Sequence, residues 1–397
     1  MARMEISIQD QEKANQFLRA LWAEIRLRDP SCVWLYSPKK EGKQKYVTFG
    51  FLHLINKTER IYVGITYERR GGIESIFLDH LGDESAEIHF RIEAILYQAL
   101  EAASKNYEMP RLFTVTGCLD SQHKILLAEY SGDRFSIKND LQSDTSKLTI
   151  SVFGYDALDA SVTYVKIAHK VLHFLSIETN VSFRLGSVTI GTEKDLEVLH
   201  GNKYFEDTDW LDGWPRKDNL LYISKEGVEF IEWIASCAQN DIQTREKFLS
   251  ACKHFYTARE VSSEETITVL CVSALEVASN LHNIKAVPCP SCGQPTYKIS
   301  QRVTDLVAKF LPSHIVKFFK EYYGKRSKYL HEGIILRDQS FYHFGKNIPQ
   351  LNKDSEYGCE VPNQLSVINL WEYTSYCLRG LLKSDITHQH APVCVDA

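Results

Sequence analysis

The chain has 397 residues, 44% of them hydrophobic and 24% charged, and a formal net charge of −5. That is long enough for two or three domains with full cores and too apolar for wholesale disorder. The acidic balance excludes a protein that coats nucleic acid over its whole surface, because phosphate contacts need clustered Lys and Arg, though a local basic patch stays open. The longest apolar runs, such as Ile267 to Ala278, are broken by Thr, Ser and Glu and fall short of the roughly 20 residues of a membrane span. The amino terminus lacks the basic-then-apolar pattern of a secretory signal. The ten cysteines, Cys237, Cys252, Cys271 and Cys377 among them, lie beside apolar neighbours rather than in a disulfide framework. Reduced thiols and a cytoplasmic location are expected.

An amphipathic helix is predicted over about Gln9 to Arg28. Alternating apolar and polar residues from 46 to 80, as in Arg60-Ile-Tyr-Val-Gly-Ile-Thr-Tyr67, predict strands. Arg70-Gly-Gly72 marks a turn, and Ser85 to Ser104 has helical spacing. The order returns with strands at Leu112-Phe-Thr-Val115, Lys124-Ile-Leu-Leu-Ala128 and Lys147 to Phe153, then a helix over Val162 to Glu178. Matching Ile73–Ala103 to Leu148–Glu178 suggests a duplicated β-β-α unit with few identities. Residues 191 to 220, rich in Gly and acids, lack periodicity and read as connector. Beyond Asp241 the pattern is helical: Thr244 to Glu260, Ser262 to Leu281, Ser300 to Phe310, Ser313 to Glu332 and Gln364 to Lys383. Ser262-Ser-Glu-Glu265 supplies a capping-box pattern with Ser262 at the cap. The expected fold class is α+β: a mixed amino-terminal region (1–200) that senses a trigger or selects a substrate, a connector (201–240) and an all-α domain (241–385). That last domain carries a proline-braced insert at 286–295 and is followed by a tail (386–397).

The helix from Ser313 carries Ile315, Phe318, Phe319, Tyr322, Tyr329 and Leu330 on one stripe, and Arg326 falls on it. An Arg there needs a partner. One reading pairs it with Glu276, which interrupts the apolar helix at Ala274-Leu-Glu276. The other has Arg326 holding a phosphate while His331 moves protons. Positions five apart on a regular helix lie roughly 140° apart. Convergence of the two would therefore need the helix to loosen near Gly333 or a second copy of the chain to complete the site. From Lys317 to Arg337, six basic residues against two acidic ones give a net +4, which suits a polyanion as well as an ordinary solvated face. Lys325, Lys328, Tyr322 and Tyr323 are the candidate RNA contacts, with core packing the alternative for the tyrosines.

The segment Arg326-Ser-Lys-Tyr-Leu-His331 resembles the Arg-x4-6-His signature of HEPN-superfamily ribonucleases. Tyr322 or Tyr323 before Arg326-Ser327, His331-Glu-Gly333 at the end, Ala274-Leu-Glu276 and Lys298-Ile-Ser300 make it most similar to the Apea-type branch. The resemblance covers roughly residues 240 to 385, and the Cys-containing insert departs from the simplest pattern. It implies a HEPN helical bundle that dimerises and cuts RNA without a metal cofactor. It makes Arg326, His331 and Glu276 the expected catalytic residues, Arg326 stabilising phosphoryl charge and His331 acting as general acid or base. RNA, transfer RNA among the candidates, would be the substrate, and DNA, lacking the 2′-hydroxyl, would be spared. Growth arrest or antiviral defence is the role such an activity suggests, by analogy of fold. The competing expectation is a non-catalytic module that dimerises or binds RNA or nucleotides.

Cys289-Pro-Ser-Cys292 is half of a zinc site, since structural zinc takes four ligands. His282, Cys359, His388, His390, Cys394 or a second subunit could complete it. The alternative is a braced loop with two free thiols. His169 and His173, four apart on a helix, could hold a metal but more commonly mark a packed or exposed face. Phosphate-loop, nucleophile-elbow, metalloprotease and dinucleotide signatures are missing from the sequence.

Overall fold

A computed structural model describes residues 2–41, 44–52, 61–67, 71–80, 86–121, 123–140, 142–191, 204–205, 210–211, 214–236, 242–281, 287–288, 295–296, 299–332, 350–351, 353, 359–360 and 365–387. The fold is α+β, with sheets and helices together in the first part and helices dominating later. Compactness divides the chain elsewhere than at 201–240. One unit is Met1–Phe113 with Val152–Thr163, the other Thr114–Ser151 with Tyr164–Ala397. Among the described residues no helix is long and apolar enough to cross a membrane.

The first unit runs β1 (Ala2–Ile8), α1 (Gln11–Arg28), β2 (Val33–Glu41), β3 (Gln44–Leu52), β4 (Ile61–Tyr67), β5 (Ile73–His80) and α2 (Ala86–Asn106). The sheet order is β1-β5-β4-β3-β2, antiparallel throughout. Asp10 caps α1 by accepting the Lys13 N–H at 2.8 Å, satisfying a donor that has no partner within the helix. Phe17, Leu21 and Ile25 recur every fourth residue on α1, and Leu96, Leu100 and Ala103 do so at helical spacing on α2. Both faces are buried with Val63, Ile65, Ile73 and Ile76 of the sheet. Gly71 turns the chain into β5 at φ 92°, a conformation glycine adopts without a Cβ penalty. Arg19 grips Asp159 at 2.9 Å and Arg26 grips Asp156 at 2.7 Å, fixing the segment that opens the next helix onto α1.

The second unit is built on β6 (Arg111–Ser121), β7 (Leu126–Leu127), β8 (Tyr130–Ser131), β9 (Phe135–Asp140), β10 (Thr145–Gly154), α3 (Ala157–Thr179) and β11 (Phe183–Gly191), with sheet order β11-β6-β10-β9-β8. In both sheets the first strand of the set lies beside the strand that leads into a helix: β1 beside β5, then α2, and β6 beside β10, then α3. Gly117 on β6 leaves room for the Tyr164 hydroxyl, which a Cβ would meet at 2.6 Å and which donates to the Leu148 carbonyl at 2.7 Å. The predicted connector contains regular structure among its described residues. A β12 (Arg216–Lys217) and β13 (Leu220–Leu221) hairpin joins β7 in a small sheet, and Lys225–Ser236 forms α4. Buried Val228, Phe230, Ile231 and Ile234 give α4 a helical apolar face, and Phe230 packs on Phe174 of α3 at 4.8 Å.

Helices complete this unit: α5 (Ile242–Glu260), α6 (Glu264–Ala278), α7 (Ile299–Phe310), α8 (Ser313–Glu332) and α9 (Leu365–Leu381), ending in a π-helical turn over Leu382–Thr387. Phe248 of α5 meets Phe230 edge-on at 5.4 Å. The 286–295 insert is closed by a two-stranded pair, β14 (Val287–Pro288) on β15 (Pro295–Thr296). Cys289 and Cys292 between them lie outside the described residues, as do His282, His388, His390 and Cys394. Cys32, Cys118, Cys252, Cys271 and Cys377 are free thiols.

Candidate functional site

Two helices carry the site. The α6 cap is Ser263, one residue later than the capping-box pattern suggested. Its hydroxyl accepts the Thr266 N–H at 3.3 Å and donates to Glu265 at 2.7 Å. Ile267, Cys271, Ala274, Leu275 and Ala278 form the buried face of α6, and Glu276 stands on its flank. The carboxyl end is tied down by Asn280, whose side-chain amide donates to the Glu276 carbonyl at 2.9 Å while its oxygen accepts from Arg302 of α7.

On α8, Val316, Phe319 and Tyr322 are buried at helical spacing. Phe318 packs on Tyr322 at 4.5 Å, and Phe319 lies 6.3 Å from Tyr373 of α9. This packing orients the next turn, where Tyr323 and Arg326 meet Glu276. The Arg326 Nη2 donates to Glu276 Oε2 at 2.8 Å, and the Tyr323 hydroxyl donates to Oε1 at 3.1 Å. Both carboxylate oxygens are therefore occupied. The Arg326 guanidinium also lies 5.8 Å from the Tyr323 ring centre, and its Nε is buried without a hydrogen-bond partner among the described residues. Burial raises the Tyr323 phenol above its ordinary range, with the Glu276 charge adding to it. The hydroxyl thus stays protonated and serves as a donor.

Of the expected site residues, Glu276, Arg326 and Tyr323 come together. Tyr322 is a correction. At 1% exposure, with its ring against Phe318, it belongs to the core and is in no position to stack on a base. Lys325, Lys328 and His331 occupy α8, but their side chains lie outside the described set. The helix runs unbroken through position 331 to Glu332, so Arg326 and His331 hold positions roughly 140° apart around one axis. Gly333 lies outside the described residues. Within the chain the stripe through Arg326 meets Glu276, while Leu330, one turn further on, is 49% exposed.

One histidine went unnoticed in the sequence. His254 on α5 is half-buried, and its pKa is lowered first by burial and then by Lys253, with the Glu276 charge pulling the other way. It therefore stands within electrostatic reach of the carboxylate. Nothing in its local pattern, Lys253-His-Phe255 on an ordinary helix, marks it out. The other paired histidines pack rather than gather ligands: His173 lies 5.0 Å from Tyr256 and 6.3 Å from His169, and burial lowers its pKa to about 4. Among the described residues no group of three His, Cys, Asp or Glu side chains is placed to hold a metal ion.

No protein-family model, curated protein or solved structure matches the chain. A guanidinium held on one edge by a carboxylate keeps further N–H donors. The half-buried imidazole of His254 on α5 lies within electrostatic reach of Glu276, and His331 is the next-to-last residue of α8.

Proposed function

We propose that this protein is a metal-independent endoribonuclease of HEPN type, similar to the Apea branch, acting as a dimer in the cytoplasm. The observation that carries the reading is the 2.8 Å ion pair between the Ala274-Leu-Glu276 and Arg326-Ser327 segments. These are the two stretches on which the family resemblance rests, and they are 50 residues apart in sequence. In the proposed reaction a base takes the proton of an RNA 2′-hydroxyl. The freed 2′-oxygen attacks the adjacent phosphorus, the bond to the 5′-oxygen breaks, and an acid returns a proton to that oxygen. The products are a 2′,3′-cyclic phosphate and a 5′-hydroxyl. His331 supplies acid or base, and Arg326 faces the charge that builds on the phosphoryl oxygens. Glu276 and Tyr323 hold Arg326 in orientation until substrate arrives. Because Arg326 and His331 do not share a helix face, a second chain supplies the complementary group. RNA, transfer RNA included, is the substrate, and growth arrest or antiviral defence is the setting.

The same ion pair favours a second reading, in which Arg326 is a structural cation and the bundle only dimerises or binds RNA. One comparison separates the two. Purified protein is incubated with transfer RNA in chelator beside Arg326→Ala and His331→Ala, with dimerisation followed by light scattering. Cleavage by the wild type, lost in both variants while the dimer persists, supports the enzyme. Equal trace activity in all three rejects it.

A further inference from the structure

A second feature of the helix-rich unit shares no residue with the Arg326 cluster. Between the β6–β7 turn and the β12–β13 hairpin lies an open cleft of about 420 Å³ lined by His123, Lys124, Asp144, Trp214, Arg216 and Asn219 among others, a volume in the range of small-molecule sites. Its floor is rigid. The Ala128 N–H donates to the Leu221 carbonyl at 2.7 Å, and the Tyr222 N–H donates to the Pro215 carbonyl at 2.9 Å. β13 runs parallel to β7, with Leu220 opposite Leu126.

The residues on the rim are held in unusual conformations. Lys124, Asp144 and Asn219 all have left-handed backbones, at φ 48°, 49° and 63°. Asn and Asp tolerate this region, but Lys has no short polar side chain to stabilise it. Lys124 is kept there by its N–H on the Ser121 carbonyl at 3.0 Å and by the Ile125 N–H on the Ser121 hydroxyl at 3.1 Å. Such strain persists only where surrounding structure enforces it.

The chemistry gathered there is specific. Trp214 is 36% exposed, a large flat apolar face left open to solvent, and the His123 ring lies 5.4 Å from it at 44°. Burial, followed by the Arg259 charge, lowers the His123 pKa. The imidazole is therefore neutral at pH 7, with one N–H donor and one acceptor. Lys124 and Arg216 are exposed and find no acidic partner among the described residues. Arg216 gives one Nη to Asn219 at 2.9 Å and keeps its other donors. Among the described residues Asp144 is the single acid lining the cleft. A carboxylate ligand would use the cations and leave Trp214 bare, and an apolar one would do the reverse. A flat heterocycle bearing a phosphate uses both, and its amine or ribose hydroxyl meets Asp144.

We propose that this cleft binds a nucleotide, the base stacked against Trp214 beside His123 and the phosphate held by Lys124 and Arg216. The nucleotide is either free or one unit of an RNA strand, and the site stands whether or not the chain cuts RNA.

The test uses the full chain. AMP and inorganic phosphate are titrated by calorimetry, and a labelled hexa-adenylate, 2′-O-methylated so that it resists cleavage, by fluorescence anisotropy. AMP is expected to bind with a salt-dependent affinity and phosphate alone far more weakly. Trp214→Ala should weaken AMP roughly tenfold or more, whereas Trp214→Phe, which keeps a ring, should retain most of the affinity. Lys124→Asn, which tolerates the left-handed backbone, combined with Arg216→Gln should weaken binding and flatten its salt dependence. A hexamer that binds more tightly than AMP assigns the site to an RNA strand, and equal affinities assign it to a free nucleotide. Absence of binding by both AMP and the hexamer overturns the proposal. So does binding that none of these folded variants changes, or phosphate binding as tight as that of AMP.

Discussion

Replacing Glu276 with alanine strips Arg326 of its carboxylate at a place where the Arg side chain is only 18% exposed and the Glu side chain 17%. With Nη2 and Oε2 2.8 Å apart, charge centres roughly 4 Å apart attract by about 1 kcal/mol in bulk water and about 4 kcal/mol at an effective dielectric of about 20. The low exposure puts the pair nearer the second figure, and desolvation of both groups offsets part of it, leaving a coupling of about 2 kcal/mol. The assay is a double-mutant cycle of Glu276→Ala, Arg326→Ala and the double variant, unfolded in urea and followed by tryptophan fluorescence. Each single variant should lose about 2–3 kcal/mol, because a desolvated polar group is left unpaired. The double variant should lose about 2 kcal/mol less than the sum, and the coupling should persist in high salt, which screens exposed pairs far more than partly buried ones. A coupling under about 0.5 kcal/mol, or one abolished by salt, would refute the view that this pair organises the site.

Four further outcomes are expected. Tyr323→Phe removes one hydrogen bond to a carboxylate and should cost about 1.5 kcal/mol in the same urea titration while the ion pair remains. Ser263→Ala should cost about 1 kcal/mol by uncapping α6, whereas Ser262→Ala should change stability by less than about 0.5 kcal/mol; the reverse order would place the cap where the sequence pattern put it. Gly117→Val drives side-chain atoms against Tyr164 and Leu185, which a Cβ alone already meets at 2.6 and 2.7 Å. A loss of about 1–3 kcal/mol, read as a lowered melting temperature, is expected. Burial holds the His173 pKa near 4 in the folded chain against 6.5 when free. The unfolded chain therefore binds the extra proton first, and this residue's contribution to stability falls as pH drops from about 6.5 towards 4. Melting curves of wild type and His173→Phe should draw together or cross over that window, and a constant gap between them would show that His173 does not titrate there.

Much of the helical architecture was legible because long amphipathic segments advertise a 3.6-residue period: α1, α2, α7 and α8 begin and end within two residues of the expected positions. Two of the strands that escaped, β11 and β2, are edges. β11 carries two glycines and a register shift between Leu185 and Val188, which breaks the alternation a strand is recognised by. β2 holds Pro38 and shifts register between Trp34 and Ser37, tolerable in a strand paired on one side only. α4 had a readable face in Val228, Phe230, Ile231 and Ile234, masked by the glycines and acids that precede it. At the site, an Arg on an apolar stripe and an acid interrupting an apolar helix each demanded a partner, and that mutual need identified Glu276 with Arg326. The burial of Tyr322 was harder to foresee, since neighbouring tyrosines at 322 and 323 differ by only 100° of helix rotation. His254 and the His123–Trp214 cleft depend on elements distant in sequence, so no local pattern could reveal them.

The continuity of α8 past position 331 bears on dosage. If two chains must meet before Arg326 and His331 act together, monomers are silent, and at concentrations well below the dimer dissociation constant activity grows with the square of the amount of protein. A doubling of expression then gives about a fourfold rise in cleavage. A cell could carry a trace of the chain harmlessly and cross a threshold by synthesis alone, and a dilution series of the purified protein would show this as a rate plot of slope two.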